Sequence, residues 1–123
     1  MLFRSEDGSC PGGAMIPGIA SSKNALTGHT ATLPDVGITA PPRLLGRNTE
    51  DCLSSGSVYG HAGMIDGLLS AMEEEQGPFR SVVLTGRFSG MLLPYLRHPA
   101  VSDRDLTLRG LYYILEEQQR CSR

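Results

Sequence analysis

Apolar residues recur at helical period along one stretch of the chain. Val58, Ala62, Ile65, Leu69 and Met72 follow one another at spacings of four, three, four and three. That spacing predicts a continuous helix with one apolar face, over residues 48 to 76. Asn48 suits the N-cap, and Glu50 and Asp51 fall in the first turn, where acids complement the helix dipole. Gly77-Pro78 supplies the stop. A second stripe, Gly56, Gly60, Gly63 and Gly67, precedes the apolar one by two residues, about 200° of helix rotation. A glycine inside a helix costs roughly 0.8–1 kcal/mol against alanine. Close approach of another element would offset that cost. The pattern favours a subunit interface over Gly56, Gly60, Gly63 and Gly67, with Tyr59 beside them. Burial within one domain is the alternative.

The remaining pattern is alternately extended and helical. Residues 1 to 18 read as a β-hairpin, with Glu6-Asp7-Gly8 as its turn and Gly12 to Ile16 as the return strand. Ile19 to about Thr27 is a helix candidate ended by Gly28, with Ile19, Ala20 and Leu26 turned inward. Pro34, Pro41 and Pro42 keep the next segment extended, and Val36-Gly37-Ile38 suits a short edge strand. Ser81 to Leu84 is an apolar run of the kind buried in a parallel or mixed sheet. Phe88 to Leu96 predicts a short helix weakened by Pro94, and Pro99 to Val101 an extended segment. A final helix is capped by Asp105 or Thr107, with Leu108, Leu111, Tyr112 and Leu115 as its inner stripe. Glu116 to Arg123 reads as a polar, fraying tail. The order is that of an α/β protein with a mixed sheet and packed helices.

Composition narrows the class. At 123 residues, 40% hydrophobic and 20% charged, the chain is expected to form a single globular domain over 1–123. The net charge of −2 and a lone lysine, Lys23, give no basic footprint for nucleic acid. No apolar run is long enough to span a membrane, and the first ten residues lack a signal-peptide core. Cys10, Cys52 and Cys121 form neither a paired metal motif nor a disulfide framework, and are expected as structural thiols. These features point to a cytoplasmic protein.

No self-contained active site stands out. His29, His61 and His98 are not at metal-ligand spacing, and His61 reads as a surface or interface residue. Glu73-Glu74-Glu75 reads as a solvated helix end. Ser89 lacks the context of a hydrolase nucleophile elbow. Two glycine-containing strand-to-helix turns remain, one beginning at Gly12-Gly13 and one at Thr85-Gly86-Arg87. Backbone amides at such turns can face phosphate or ribose.

Taken in order, six motifs resemble the C-terminal half of type III pantothenate kinases. They are Gly-Gly-x-x-x-Pro-Gly (Gly12 to Gly18), Thr-Ala-x-Leu-Pro (Thr30 to Pro34), Gly-Arg-Asn-Thr (Gly46 to Thr49), Ser-Gly-x-x-Tyr-Gly (Ser55 to Gly60), Thr-Gly (Thr85-Gly86) and Leu-Thr-Leu-x-Gly-Leu (Leu106 to Leu111). The resemblance implies half of an actin-like, Hsp70-like (ribonuclease H-like) phosphotransferase fold. It implies a dimeric enzyme that uses ATP to phosphorylate pantothenate at the start of coenzyme A synthesis. By resemblance, Thr49, with Asn48 beside it, reaches a pantothenate pocket at the dimer interface. Thr85, Gly86, Gly12 and Gly13 would lie near the nucleotide.

The family's first phosphate loop, its Gly-x-Asp-Arg segment with the aspartate base and its Asp-x-Gly-Thr loop have no counterpart in these residues. Arg87 stands where the family's nucleotide turn has a second glycine. The expectation is therefore a non-catalytic subunit of a heteromeric kinase. A longer partner would carry the phosphate loops and the aspartate. ATP, a divalent cation and a monovalent cation (potassium or ammonium) would belong to the complex, with no cofactor held by this chain alone. A regulatory or interaction protein that keeps the fold, and a truncated kinase fragment, are the alternatives.

Overall fold

The structure is a computed structural model, and residues 1–28 and 33–121 are described. His29 and the start of the Thr-Ala-x-Leu-Pro motif, Thr30 and Ala31, lie outside the described residues. The chain is a mixed α/β protein that divides into two compact units, Met1–Ser57 and Val58–Arg123.

The first unit opens with the expected hairpin. Strands β1 (Leu2–Phe3) and β2 (Gly12–Gly13) pair antiparallel, Leu2 opposite Gly13 and Phe3 opposite Gly12. The ladder is shorter than the apolar pattern suggested. Its turn is held by side chains. Asp7 accepts the Ser9 N–H at 2.9 Å and the Ser5 hydroxyl, and Gly8 takes a φ of +82°. The Ser5 hydroxyl, then the Ser9 amide and hydroxyl, lower the Asp7 pKa to about 2. Gly13 sits so close to the other strand that a Cβ there would lie 2.2 Å from the Met1 carbonyl oxygen.

Helix α1 spans Ile19–Gly28 with Ile19 buried, but Leu26 is half exposed rather than turned inward. Val36 to Ile38 forms no strand. The Val36 N–H instead bonds the Pro34 carbonyl at 3.1 Å, a local turn in a proline-rich stretch.

Helix α2 runs Thr49–Gln76, as its pattern predicts. At about 1.5 Å per residue it is roughly 42 Å long. Gly77 ends it at φ +87°, its N–H on the Glu73 carbonyl at 2.9 Å. Within the second unit Val58, Ala62 and Leu69 are buried, while Ile65 and Met72 are partly covered.

Strands β3 (Val83–Leu84) and β4 (Val101–Ser102) form a parallel pair, Val83 opposite Val101. Among the described residues the mixed sheet is thus two separate two-stranded ladders, one antiparallel and one parallel. Between β3 and β4 lies α3 (Ser89–Leu92), continued by a 3₁₀ turn over Leu93–Tyr95. Pro94 enters at the start of that turn, where a missing N–H costs least.

Helix α4 spans Leu106–Cys121. The Asp105 carbonyl accepts the Arg109 N–H at 2.9 Å, which places Asp105 at its cap. Two expectations fail here. The helix continues through Cys121 instead of fraying at Glu116, and its inner stripe is not inside: no residue of α4 is buried. Periodicity sets which side chains share a face, and burial depends on what covers that face.

Candidate functional site

The start of α2 is the most constrained loop-to-helix junction in the first unit. Asn48 is its N-cap. The side-chain Oδ1 accepts the Asp51 N–H at 2.8 Å, and the Asn48 carbonyl accepts the Cys52 N–H at 3.0 Å. Thr49 is the first helical residue and is exposed. Two further contacts fix the preceding turn. The buried Ser55 hydroxyl, from the second turn of α2, donates to the Leu44 carbonyl. Gly46 presses on the helix itself: a Cβ there would lie 2.5 Å from the Cys52 nitrogen and 2.7 Å from the Asp51 carbonyl carbon. These are backbone atoms that cannot swing aside. The junction therefore holds Asn48-Thr49 in one place with the Thr49 side chain turned to solvent. The helix dipole adds a positive field at this end.

The glycine stripe has a different character. Gly56, Gly60, Gly63 and Gly67 are all exposed, and a Cβ on any of them would meet nothing within 4 Å. Among the described residues, nothing uses the space they leave. Tyr59, expected beside them, packs edge-on against Tyr95 with ring centroids 4.8 Å apart.

Thr85 and Gly86 follow β3 in the second unit. Gly86 takes a φ of +94°, a conformation that favours glycine, and its carbonyl accepts the Ser89 hydroxyl at 2.9 Å and the Ser89 N–H at 3.2 Å. Arg87 folds over the Phe88 ring, its guanidinium carbon 5.4 Å from the centroid. Gly12 and Gly13 belong to the hairpin of the first unit.

The sequence reading missed a charged cluster in the second unit. Asp66 is buried on α2. It accepts the N–H groups of Arg97 at 2.9 Å and of His98 at 3.1 Å, and the His98 Nδ1 at 2.8 Å. Burial pushes its carboxyl pKa up. The Arg97 amide and the His98 ring and amide outweigh that and hold it below the ordinary 3.8. The other ring nitrogen of His98 lies 3.5 Å from Glu73, whose second oxygen accepts the Phe79 N–H at 3.2 Å. Glu73 is therefore not simply a solvated helix end. His61, expected at a surface or an interface, is buried within the chain, since it lies three residues after Val58 on the inner side of α2. The cysteines depart the other way: all three are exposed free thiols. Among the described residues, no three His, Cys, Asp or Glu side chains stand close enough to share a metal ion. No described helix is long and apolar enough to cross a membrane.

The junction at Gly46-Arg47-Asn48-Thr49 and the α2 stripe fall inside a stretch, residues 4–71, that matches the family model for type III pantothenate kinase. The chain belongs to the type III pantothenate kinase family. Curated relatives agree. The chain is 39% identical to the type III pantothenate kinase of Moorella thermoacetica over 112 residues, 91% of this chain and 44% of the relative. It is 40% identical over 101 residues to that of Acholeplasma laidlawii, 82% of this chain and 41% of the relative. It therefore spans under half the length of the curated relatives it matches. The crystal structure of a conserved Baf-family protein from Campylobacter jejuni shares its fold, with a TM-score of 0.59 over 92% of this chain and 50% of that one, at 24% identity.

Proposed function

We propose that this chain completes a heteromeric type III pantothenate kinase by supplying one wall of its pantothenate pocket. The observation that carries the reading is the built junction at Thr49. A cap, a glycine with no room for a side chain and a buried hydroxyl all hold an exposed threonine at a helix N-terminus. Thr49 would donate or accept a hydrogen bond to pantothenate and so position it; it is not a base. Asn48 acts through the cap. The same arrangement fits half of an actin-like phosphotransferase fold whose glycine face on α2 meets a partner.

Phosphoryl transfer needs metal-bridged phosphates and an oriented hydroxyl. The described residues offer no donor set for a divalent cation. In this reading a longer, kinase-like partner brings the phosphate loops, the catalytic aspartate and the divalent and monovalent cation sites. ATP binds there, and the chemistry of transfer is the partner's. This chain binds and orients the acceptor and excludes water from one side of it.

The test is pantothenate phosphorylation by each chain alone and by the two mixed. The expected result is activity in the mixture far above either chain alone. In that mixture Thr49→Ala should raise the KM for pantothenate about tenfold, the equivalent of one lost hydrogen bond, with little change in kcat. A mixture no more active than the partner alone sinks the reading.

A second reading has one observation in its favour. Arg87 replaces a glycine of the family's nucleotide turn and is engaged with Phe88. A chain that kept the fold as a regulatory or interaction protein would tolerate this. Titration of the assembled complex with pantothenate separates the two, since a regulatory subunit leaves pantothenate affinity unchanged on its removal.

A further inference from the structure

One imidazole in the second unit stands between two acids of the same helix. Asp66 and Glu73 are two turns apart on α2 and share a face. His98, in the segment that leads into β4, sets Nδ1 2.8 Å from Asp66 and Nε2 3.5 Å from Glu73. A neutral imidazole has one N–H and one lone pair, and only the protonated ring offers a donor at both nitrogens. With an acid at each nitrogen, the arrangement suits the charged ring.

The two acids are not equivalent. The Asp66 side chain is 12% exposed and also accepts the N–H groups of Arg97 and His98. These donors hold it as a carboxylate below the ordinary 3.8. When the ring is neutral, its remaining proton therefore stays on Nδ1, facing Asp66. The Nε2 lone pair then faces the Glu73 carboxylate, and like meets like. Glu73 is 33% exposed and can turn into water, which the buried Asp66 cannot do.

Glu73 also holds the chain beyond the helix, since its other oxygen accepts the Phe79 N–H at 3.2 Å. Phe79 lies four residues before β3, and His98 lies three before β4. The entries to both strands are thus tied to one face of α2. The strands are two residues each, with the Val101 N–H on the Val82 carbonyl at 2.9 Å and the Asp103 N–H on the Leu84 carbonyl at 2.7 Å. Two strands alone are at best marginally stable, so how they are held at their entries matters.

We propose that His98 is a pH-operated clasp between α2 and the segments entering β3 and β4, closed while the ring is protonated and released at Glu73 when it is not. Around the ring, α2 supplies Asp66 and Glu73. The ring's own segment supplies Arg97, whose backbone N–H meets Asp66. The segment after α2 carries Arg80 next to Phe79. Tyr95 of the 3₁₀ turn packs on Tyr59 of α2, ring centroids 4.8 Å apart. The clasp is independent of the heteromeric reading and stands or falls without it.

An NMR titration of the full chain from about pH 5 to 8 tests it, the range over which an imidazole ordinarily changes charge. Amide exchange at both ends of the range, corrected for the intrinsic rate, is measured alongside. The Phe79 amide shift should move with the same midpoint as the His98 ring. Protection at Phe79, Val101 and Asp103 should fall about fivefold on going to the higher pH, the upper end of what one solvent-screened ion pair supplies. His98→Asn keeps a donor for Asp66 but cannot change charge. Glu73→Gln keeps an acceptor for Phe79 without the charge. Both variants should show a Phe79 amide and a protection that are flat with pH, while the His98 ring of Glu73→Gln still titrates. Far-UV circular dichroism checks that each variant folds, and Glu73→Gln, at a partly exposed side chain, decides the matter if His98→Asn does not. A wild-type Phe79 amide that ignores the ring overturns the proposal. So does a wild-type pH profile in either variant, because the sensor is then not His98 or the release is not at Glu73.

Discussion

His98 Nδ1 lies 2.8 Å from Asp66 Oδ1, and the same carboxylate also accepts the backbone N–H groups of Arg97 and His98. One buried acid on α2 thus gathers the turn that leads into β4. Asp66→Asn keeps the shape but removes the charge from three hydrogen bonds. It should destabilise the second unit by roughly 1.5–3 kcal/mol, the range for hydrogen bonds to charged groups. Urea unfolding followed by circular dichroism measures this, and a loss below 0.5 kcal/mol on the order of a surface change would contradict it.

The same pair sets an acid dependence. The Asp66 carboxyl is held below its ordinary 3.8 in the folded chain. A depressed folded pKa contributes stability that is present above the unfolded value, and that is lost as pH falls from there through the lower folded value. Thermal midpoints of the wild type should therefore fall as pH drops below 3.8. Asp66→Asn should show a shallower fall over that window. Parallel curves would remove Asp66 from the account.

Gly46 and Gly56 make opposite predictions for one substitution. Gly46→Ala places a methyl within 2.5–2.9 Å of Asp51 and Cys52 backbone atoms. It should cost about 1–3 kcal/mol, as overpacking does. It should also disturb the Thr49 junction, visible as changed amide shifts at Thr49 to Cys52.

Gly56→Ala, like the same change at Gly60, Gly63 or Gly67, puts its methyl in open space. Each should stabilise the isolated chain by about 0.8–1 kcal/mol through helix propensity. If the glycine face is covered in the complex, the same variants should bind the partner more weakly. Stabilisation with unchanged binding would leave that face without a role.

Asn48→Ala removes the acceptor of the Asp51 N–H. A lost N-cap costs about 1 kcal/mol. Helix content near residues 49–52 should drop, with the Val58 to Leu69 region unaffected, as amide exchange would report.

The start and length of α2 were legible because their causes are local: a 3.6-residue period, an asparagine cap and a Gly-Pro stop. The hairpin turn at Asp7-Gly8 was legible for the same reason. Strand extents were not, since a run such as Ser81 to Leu84 becomes a ladder only where a neighbour pairs with it. The α4 stripe was read correctly as a face and wrongly as an inner one, because burial is a property of the neighbour. Val36 to Ile38 carried strand propensity but had prolines on either side. The Asp66 cluster left a signal that went unread. Asp66 falls four residues after Ala62 and three before Leu69, so a charge stood in the apolar stripe. A buried charge implies a partner, whereas the contact of Gly46 with α2 follows only from where the helix stands.

The close fit of Gly46 against α2 makes that position a ruler for homologous sequences. A side chain there would meet the Asp51 and Cys52 backbone, so the turn could keep its place only if the first turn of α2 moved, and Thr49 with it.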